Sequence, residues 1–456
     1  MTATVLIGAG AGFACDRTDA AGPVVDALAR RSGPRFLMFE MLAERTLALS
    51  QLDRRRDATR GYNPALDRYI GPVLARCLRE KIKIVGNFGA ANPRAAGERI
   101  QALAREQGLA EPSVAIVEGD DLTALLSLPE LAARETGGAI LHGATEIVAA
   151  NLYLGAEPIA QALDRGADVV VTGRVADSAL ALGPLIHAFG WKYDDWDRLA
   201  AGTLAGHLLE CGSQITGGYF ADPPFKEVPG MADLGYPIAE VDADGGMTIA
   251  KPAGTGGRID RLTVIEQLLY EIHDPSAYLA PDVVLDVTGV TVEEIAPDRV
   301  RVTGARGKPA PKTLKATVCV DGGVLGEAEI SYAGPNAGAR ARLAAETIEA
   351  RMQKRAPDLV FRTDAIGVIS VLGGNGDALA SPWTSVPTDV RLRFAAQSSK
   401  AADVELLLDE VEALYCAGPA GGAGVRKRMT PRLASASCLI ERKFAVPRVA
   451  LLEGRS

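Results

Sequence analysis

The sequence is poor in the residues that most often form disulfides, zinc modules and histidine-based catalytic sites. Its six cysteines are scattered, and no two have a Cys-x-x-Cys spacing, which argues against a disulfide framework and against a zinc module. A reducing environment, the cytoplasm, is therefore the expected location. The chain also has only four histidines, so acid/base catalysis by imidazole has few candidates.

Long apolar runs and an excess of basic residues are absent as well. No segment approaches the roughly 18 uninterrupted apolar residues of a membrane-spanning helix. The start of the chain, MTATVLIGAGAGF, lacks the basic and longer apolar regions of a signal peptide. The formal net charge is −8, which argues against nucleic acid as a partner. We therefore expect a chain that is neither exported nor bound to membranes or nucleic acid.

Up to about residue 215, the sequence alternates short β-branched runs with Ala/Leu/Arg-rich stretches of helical length. This alternation is typical of a parallel sheet with crossover helices, and a length of 456 residues favours two domains. We predict an α/β fold with a Rossmann-like parallel domain over residues 1–220 and an irregular Pro- and Gly-rich connection over 221–260. A second α/β domain with an antiparallel section follows over 261–456.

Each predicted strand of the first domain ends in glycine or polar residues. These strands cover residues 4–7, 36–39, 82–85, 114–117, 147–149 and 168–172. Because the carboxyl ends of parallel strands meet at one edge, where open α/β sheets bind ligands, we expect a binding site there. The candidate substrate-binding residues at this edge are Gly10, Asn87, Asn151, Thr172, Arg174 and Ser178.

Arg174 directly follows a strand that is predicted to be buried on both faces, in the stretch DVVVTGRVADSAL. A covered guanidinium keeps its charge and needs a partner. One alternative is an internal ion pair with Asp177 or with a carboxylate among residues 118–121. The other is a substrate carboxylate or CoA phosphate bound in fork geometry. Asp177 itself is a candidate catalytic residue or the N-cap of the next helix.

A glycine-rich stretch, Gly8-Ala-Gly-Ala-Gly12, follows the first predicted strand. Its backbone N–H groups could approach an anion, so Gly8, Gly10 and Gly12 are candidate cofactor-binding residues, with tight-turn packing as the alternative. The dinucleotide fingerprint GxGxxG needs a glycine where Phe13 stands, so an NAD site has only partial support, from Glu40 as a ribose-binding acid. Arg258, in PAGTGGR, is a candidate ligand for a nucleotide or CoA phosphate.

Three carboxylates, Glu118, Asp120 and Asp121, follow the strand at 114–117. Carboxylates this close repel one another, so they need a metal, an arginine, a raised pKa or free access to water. A magnesium-type site, or catalysis by Asp120 as a general base, is one alternative. Helix capping and solvation are the other. A divalent metal, and CoA as part of the substrate, are the cofactors that the sequence leaves open.

His207 and Glu210 lie three residues apart on one predicted helix face. This pair is a candidate for proton transfer or for metal binding, although two ligands are fewer than a zinc site needs. Cys211 follows directly and is either a thiolate nucleophile or a packing residue.

Several segments together resemble the acyclic terpene utilization family, the AtuA-like proteins. The matching stretches include IGAGAGF, KIVGNFGAANP, VEGDDL, NLYLGAEPIAQAL, DVVVTGRVADSALALGPLIHAFGW, LAAGTLAGHLLECGSQITGG and GPAGGAGVRKR, in this order along the chain. The resemblance implies a cytosolic protein in the catabolism of citronellol- and geraniol-type branched acids, which proceeds through acyl-CoA thioesters. Many members carry an extra C-terminal domain that this sequence lacks, so a separate small subunit is a further expectation.

The leading hypothesis is therefore an enzyme that acts on a branched or terpenoid-like carboxylic acid, or on its acyl-CoA thioester, by acid/base chemistry. Hydratase, lyase and hydrolase activities all fit this hypothesis. The first alternative is a non-catalytic subunit that supports an acyl-CoA-processing enzyme, and the second is an NAD-dependent oxidoreductase. A homo-oligomer is expected in each case.

Overall fold

The computed structural model describes residues 4–373 and 387–452. The chain forms two compact units, the first comprising Met1–Cys319 with Ser435–Ser456 and the second Val320–Ala434. Parallel and antiparallel strands both occur, with eleven α-helices in the described residues, so the predicted α/β class is confirmed. None of the helices in these ranges combines the length and the apolar character that a membrane crossing requires.

The helices are α1 (Ala21–Ala29), α2 (Glu44–Arg56), α3 (Leu66–Glu80), α4 (Pro93–Glu106), α5 (Leu128–Ala132), α6 (Glu157–Asp164), α7 (Ala179–Phe189), α8 (Trp196–Glu210), α9 (Arg261–Leu269), α10 (Ala337–Arg355) and α11 (Ala401–Ala417). The strands are β1 (Val5–Ala11), β2 (Arg35–Phe39), β3 (Lys83–Gly86), β4 (Val114–Glu118), β5 (Glu135–Thr136), β6 (Ile147–Leu152), β7 (Val169–Thr172), β8 (Ile238–Val241), β9 (Met247–Ala250), β10 (Tyr278–Leu279), β11 (Val284–Asp286), β12 (Thr291–Ala296), β13 (Arg299–Thr303), β14 (Arg306–Lys308), β15 (Thr313–Ala333), β16 (Phe361–Ile366), β17 (Asp389–Ser398), β18 (Ala423–Glu441) and β19 (Arg448–Leu452).

A ten-stranded sheet with the order β12-β13-β9-β8-β1-β2-β3-β7-β4-β19 forms the centre of the first unit. Its middle strands β1, β2, β3, β7 and β4 are parallel neighbours, as predicted from their apolar runs. The prediction of a sixth parallel strand at 147–149 is wrong, because β6 pairs with β15 outside this sheet. A short apolar run indicates a strand but carries no information about its partner.

Helices cover both faces of the parallel strands. Helices α1, α3 and α4 pack on one face, and α6, α7 and α8 contact the strands from the other side. Strand β2 shows the consequence, since Leu37 and Phe39 join the core cluster with α1, α3 and α4 while Phe36 makes an edge contact with His187 of α7. All three apolar residues are buried, which explains why this strand is an uninterrupted apolar run.

The second unit contains an antiparallel sheet in which β17 lies between β16 and β15. Helices α10 and α11 share one apolar core with these strands, which includes Ile348, Leu392 and Leu407. The sequence predicts helices at 339–355 and 402–415, and these correspond to α10 and α11. It also predicts a strand at 366–372, which is wrong, because Val371–Gly373 forms a 3-10 helix.

Two regions that are rich in glycine and proline also contain strands. Residues 221–260, the predicted connection, include β8 and β9 of the ten-stranded sheet. The basic group at 426–428 lies in strand β18, and its side chains are exposed. Turn-forming residues therefore occur inside or beside strands here, so they do not delimit the elements.

Gly206 sets how closely α8 approaches the start of α7. A Cβ atom at this position would lie 2.4 Å from the backbone oxygen of Ser178. We expect Gly206→Ala to lower the free energy of unfolding by about 1–3 kcal/mol, because the backbone of α7 must move. In the matched variant Gly22→Ala, the added Cβ meets no heavy atom within 4 Å, so stability should stay unchanged or rise by up to about 1 kcal/mol. Urea denaturation of both variants tests this difference.

Candidate functional site

A cavity of about 1070 Å³ opens in the first unit, where the parallel strands end. Gly12, Glu40 and Arg174 line it, and they follow β1, β2 and β7 respectively. The end of α8 contributes Glu210, and β10 contributes Tyr278. The edge of the sheet that the sequence indicated therefore borders one cavity, and side chains from outside the parallel sheet line this cavity as well.

Arg174 is 1% exposed, and its guanidinium forms hydrogen bonds and an ion pair with other groups of the protein. Its Nε donates to the backbone oxygen of Val175 at 2.8 Å, and its Nη1 donates to the backbone oxygen of Leu42. Its Nη2 forms an ion pair with Asp177, three residues along the chain. Burial opposes the charge, but Asp177 raises the pKa of Arg174, so the guanidinium stays protonated. Of the two partners that the sequence allowed, the structure shows the internal one.

Glu40 is one of the buried carboxyls of the cavity wall and is 8% exposed. Its Oε1 accepts hydrogen bonds from the backbone N–H of Leu42 and from Nδ2 of Asn87, both at 2.9 Å. Asn87 is fixed in turn, because its Oδ1 accepts from the Met41 N–H at 2.6 Å. Burial and the neighbouring Asp177 carboxylate raise the pKa of Glu40 well above its usual range. Glu40 and Asp177 both line the cavity, and the surroundings of Glu40 disfavour its charged form.

Glu210 lies at the carboxyl end of α8 and contacts His207, as the three-residue spacing predicts. The His207 Nδ1 and Glu210 Oε1 atoms are 2.8 Å apart, and both residues are buried. Glu210 lines the cavity, while His207 lies behind it against the ring of Tyr278. Burial raises the pKa of Glu210, and the contact with His207 offsets only part of this effect. This pair is a second buried group that can hold a proton.

Cys211 also lines the cavity, but its surroundings oppose the thiolate form. Burial and the adjacent Glu210 carboxyl raise the pKa of the Cys211 thiol. A thiol with these neighbours is a poor nucleophile at neutral pH.

Tyr153 lies against both the arginine and the lysine of the cavity wall. The guanidinium of Arg174 lies 4.5 Å and the ammonium of Lys315 lies 4.7 Å from its ring centroid. The Tyr153 hydroxyl donates to Glu44 Oε1 at 2.7 Å, and Lys315 also contacts this oxygen at 3.2 Å. Although burial opposes ionisation, these partners lower the pKa of Glu44 to about 2. Lys315, like Arg174, therefore already has a carboxylate partner.

Behind the cavity wall, Asp120 joins the ends of β4 and β7. Its Oδ2 accepts from Asn151 Nδ2 at 2.8 Å and from the backbone N–H of Arg174 at 3.0 Å. Burial raises the pKa of Asp120 to about 6. Thr172 is equally enclosed and donates to the backbone oxygen of Gly173 at 3.0 Å. Asp120, Asn151 and Thr172 thus support the backbone that carries Arg174 and do not line the cavity.

The raised pKa of Asp120 makes its contribution to stability depend on pH. The folded protein binds a proton here up to about pH 6, whereas the unfolded chain releases it near pH 4. The free energy of unfolding therefore falls as pH rises through this window, by about 3 kcal/mol for this one group. Asp120→Asn should remove this part of the slope. The difference in unfolding free energy between variant and wild type, measured in urea from pH 4 to 7, would stay constant if Asp120 did not titrate in this range.

The glycine-rich stretch is packed inside the protein. Gly8 and Gly10 belong to β1, and a Cβ atom on Gly8 would lie 2.3 Å from Val24, whereas one on Gly10 would lie 2.6 Å from the Phe39 ring. The N–H of Gly12 donates to the Asp16 carboxylate at 2.7 Å. A protein carboxylate thus occupies the backbone donor that a bound anion would use.

Of the remaining predicted site residues, Ser178 lines the cavity, whereas Arg258, Asp121 and Glu118 do not. Arg258 forms an ion pair with Asp260, the N-cap of α9. Asp121 Oδ1 accepts from the N–H of Thr123 at 2.9 Å, and Glu118 ends strand β4. Within residues 4–373 and 387–452, no group of three or more His, Cys, Asp and Glu side chains is arranged to hold a metal ion.

The sequence alone does not reveal several of the cavity residues. It indicates Glu40 only as a ribose-binding acid, and it does not indicate Tyr153, Glu271 or Tyr278. Tyr153 follows β6, a strand of a different sheet, and the other two follow α9. Glu271 has a left-handed φ of 58°, as does Tyr219 with a φ of 60°, and both line the cavity. Such backbone conformations concentrate at functional sites, but a sequence does not display them.

The family comparison agrees with the sequence motifs. The family model described as acyclic terpene utilisation family protein AtuA matches residues 5–451. The search of curated proteins and the search of solved structures each returned no match. Because the family model covers nearly the whole chain, the predicted resemblance is confirmed, and the protein belongs to the acyclic terpene utilisation family.

Proposed function

We propose that the chain is an enzyme of acyclic terpene utilisation that transfers protons to and from a branched acyl substrate in the cavity. Hydratase or lyase chemistry on an organic acid or its acyl-CoA thioester is the reaction class. The position of Glu40 and Asp177 in one cavity carries this proposal, because the surroundings of Glu40 raise its pKa while Asp177 pairs with Arg174. Two carboxyls in different surroundings can supply an acid and a base in one site.

The neighbours of each carboxyl indicate its role in proton transfer. Glu40 is the proton donor, because Asn87 and the Leu42 N–H bind one of its oxygens and leave the other for the proton. Asp177 forms an ion pair with Arg174 at the same cavity, and we assign it the role of the base. Glu210, backed by His207, is a second proton donor on another part of the wall. Residues that hold protons in this way typically contribute about 10²- to 10⁴-fold to rate.

We also propose a Rossmann-like arrangement of the first unit, which the parallel strands with helices on both faces support. A cytoplasmic location, a homo-oligomer and a separate small subunit complete the proposal. The occupied N–H of Gly12 disfavours a dinucleotide at the end of β1.

The test is turnover of a substrate panel by the purified protein. The panel contains saturated and unsaturated branched acids and their CoA thioesters, and mass spectrometry detects the gain or loss of one water. We expect turnover of at least one unsaturated branched compound. Glu266→Gln, which alters an exposed carboxylate paired with Lys226, is the matched control and should keep this activity. Neither turnover nor binding of any compound by the folded wild-type protein would contradict the proposal.

A further inference from the structure

Among the described residues of the cavity lining, which also include His273, no lysine or arginine is available for an anionic ligand group. Arg174 and Lys315 are its lysine and arginine residues, and each already contacts a carboxylate. Since their charges are matched by Asp177 and Glu44, a carboxylate entering the cavity would meet no uncompensated Lys or Arg. It would meet further carboxyl groups.

Two buried carboxyls still present oxygens without a hydrogen-bond donor. Glu40 and Glu210 are each 8% exposed and line the cavity. Both hydrogen bonds to Glu40 are accepted by Oε1, and the one contact of Glu210 with His207 uses its Oε1. Among the described residues, no donor reaches the Oε2 atom of either side chain. These two oxygens are accessible rather than buried, and both residues line the cavity, so the oxygens are available to a ligand there.

Aromatic residues also line the cavity. Tyr270 and Tyr278 line the cavity together with Tyr219 and Phe13, whose side chains are largely exposed. Ring faces attract cations, most strongly where water is excluded. Carboxyl oxygens and ring faces together form the surroundings in which proteins bind substituted ammonium groups.

We propose that the cavity binds positive charge, namely a tertiary or quaternary ammonium group or a substrate carbon that becomes cationic during reaction. This proposal rests on the cavity being the reaction site proposed above. It restricts the substrate there to a neutral reacting group, such as an alkene, and excludes a free carboxylate at the cavity wall.

The corresponding reaction is the hydration of a trisubstituted alkene. The π electron pair takes the proton of Glu40 to form a C–H bond, which leaves a Glu40 carboxylate and a tertiary carbocation. The oxygen of a water molecule then forms a C–O bond with the cation, and the proton that water loses passes to Asp177. Return of this proton to Glu40 through solvent completes the cycle, and the net reaction is alkene plus water to tertiary alcohol.

The test compares hexyltrimethylammonium, hexanoate and hexanol by titration calorimetry at pH 7, in two buffers of different ionisation enthalpy. The ammonium ion should bind at least tenfold more tightly than hexanoate. Its binding should release protons, because a cation beside Glu40 favours the carboxylate form. Glu40→Gln should abolish the proton release, Glu210→Gln should weaken ammonium binding, and Glu266→Gln should change neither. Urea denaturation shows whether each variant is folded.

Hexanoate binding as tight as ammonium binding would overturn the proposal, and so would ammonium binding that releases no protons. These ligands do not react, so the result is independent of turnover. Ammonium binding with proton release, but without turnover of any panel compound, supports the cation site and contradicts the proposed enzyme activity. Turnover together with preferred binding of hexanoate supports the proposed enzyme activity and contradicts the cation site.

Discussion

Arg174→Met is expected to lower the free energy of unfolding by about 3–5 kcal/mol, the range for breaking a buried ion pair. Methionine retains much of the side-chain volume but donates no hydrogen bond. The substitution leaves the backbone oxygens of Leu42 and Val175 without this donor and the Asp177 carboxylate without its cation. Because Arg174 is 1% exposed, water cannot replace these donors without opening the wall of the cavity. The urea midpoint, with the m-value checked for constancy, measures the loss.

Arg198→Met is the matched control. Arg198 and Asp195 form an ion pair with the same spacing of three residues, but their side chains are 46% and 32% exposed. Solvent screens such a pair, so we expect a loss of at most about 1 kcal/mol. Equal losses of unfolding free energy in the two variants would show that burial does not determine how much Arg174 contributes to stability.

The sequence predicts the parallel strands because their apolar runs and polar ends are local features. Ala-rich helices and valine-rich strands alternate, and both patterns survive in the structure because the strands are buried on two faces. The contact between His207 and Glu210 was likewise predictable, since a helix places residues three apart on one face. The pairing of Arg174 with Asp177 was one of two alternatives, and sequence spacing could not decide between them.

The rest of the cavity depends on contacts between distant parts of the chain. The hydrogen bond between Glu40 and Asn87 joins the ends of β2 and β3, and it requires that these strands be neighbours, which periodicity does not reveal. Tyr153 reaches the cavity from β6, whose partner β15 begins far along the sequence. The protonation of Glu40 depends on burial and on the charge of Asp177, and both are properties of the folded chain.

Glu40→Gln is expected to reduce kcat by about 10²- to 10⁴-fold on any substrate that the panel identifies. Glutamine has nearly the same shape, and its amide oxygen can still accept from the Leu42 N–H and from Asn87. The substitution therefore removes the proton and preserves the wall. Because a binding role alone would mainly raise KM, a loss confined to kcat identifies Glu40 as the proton donor.

The pH profile provides the second measurement for this variant. Glu40 acts in its protonated form, so wild-type kcat should fall as pH rises through the raised pKa of Glu40. Glu40→Gln cannot titrate, and its residual activity should lack this alkaline decline. The exposed Glu293, on β12, offers the control Glu293→Gln, which should keep both the rate and the profile of wild type. If the decline persisted in Glu40→Gln, another group would control it, and Glu210 would then be the proton donor to test.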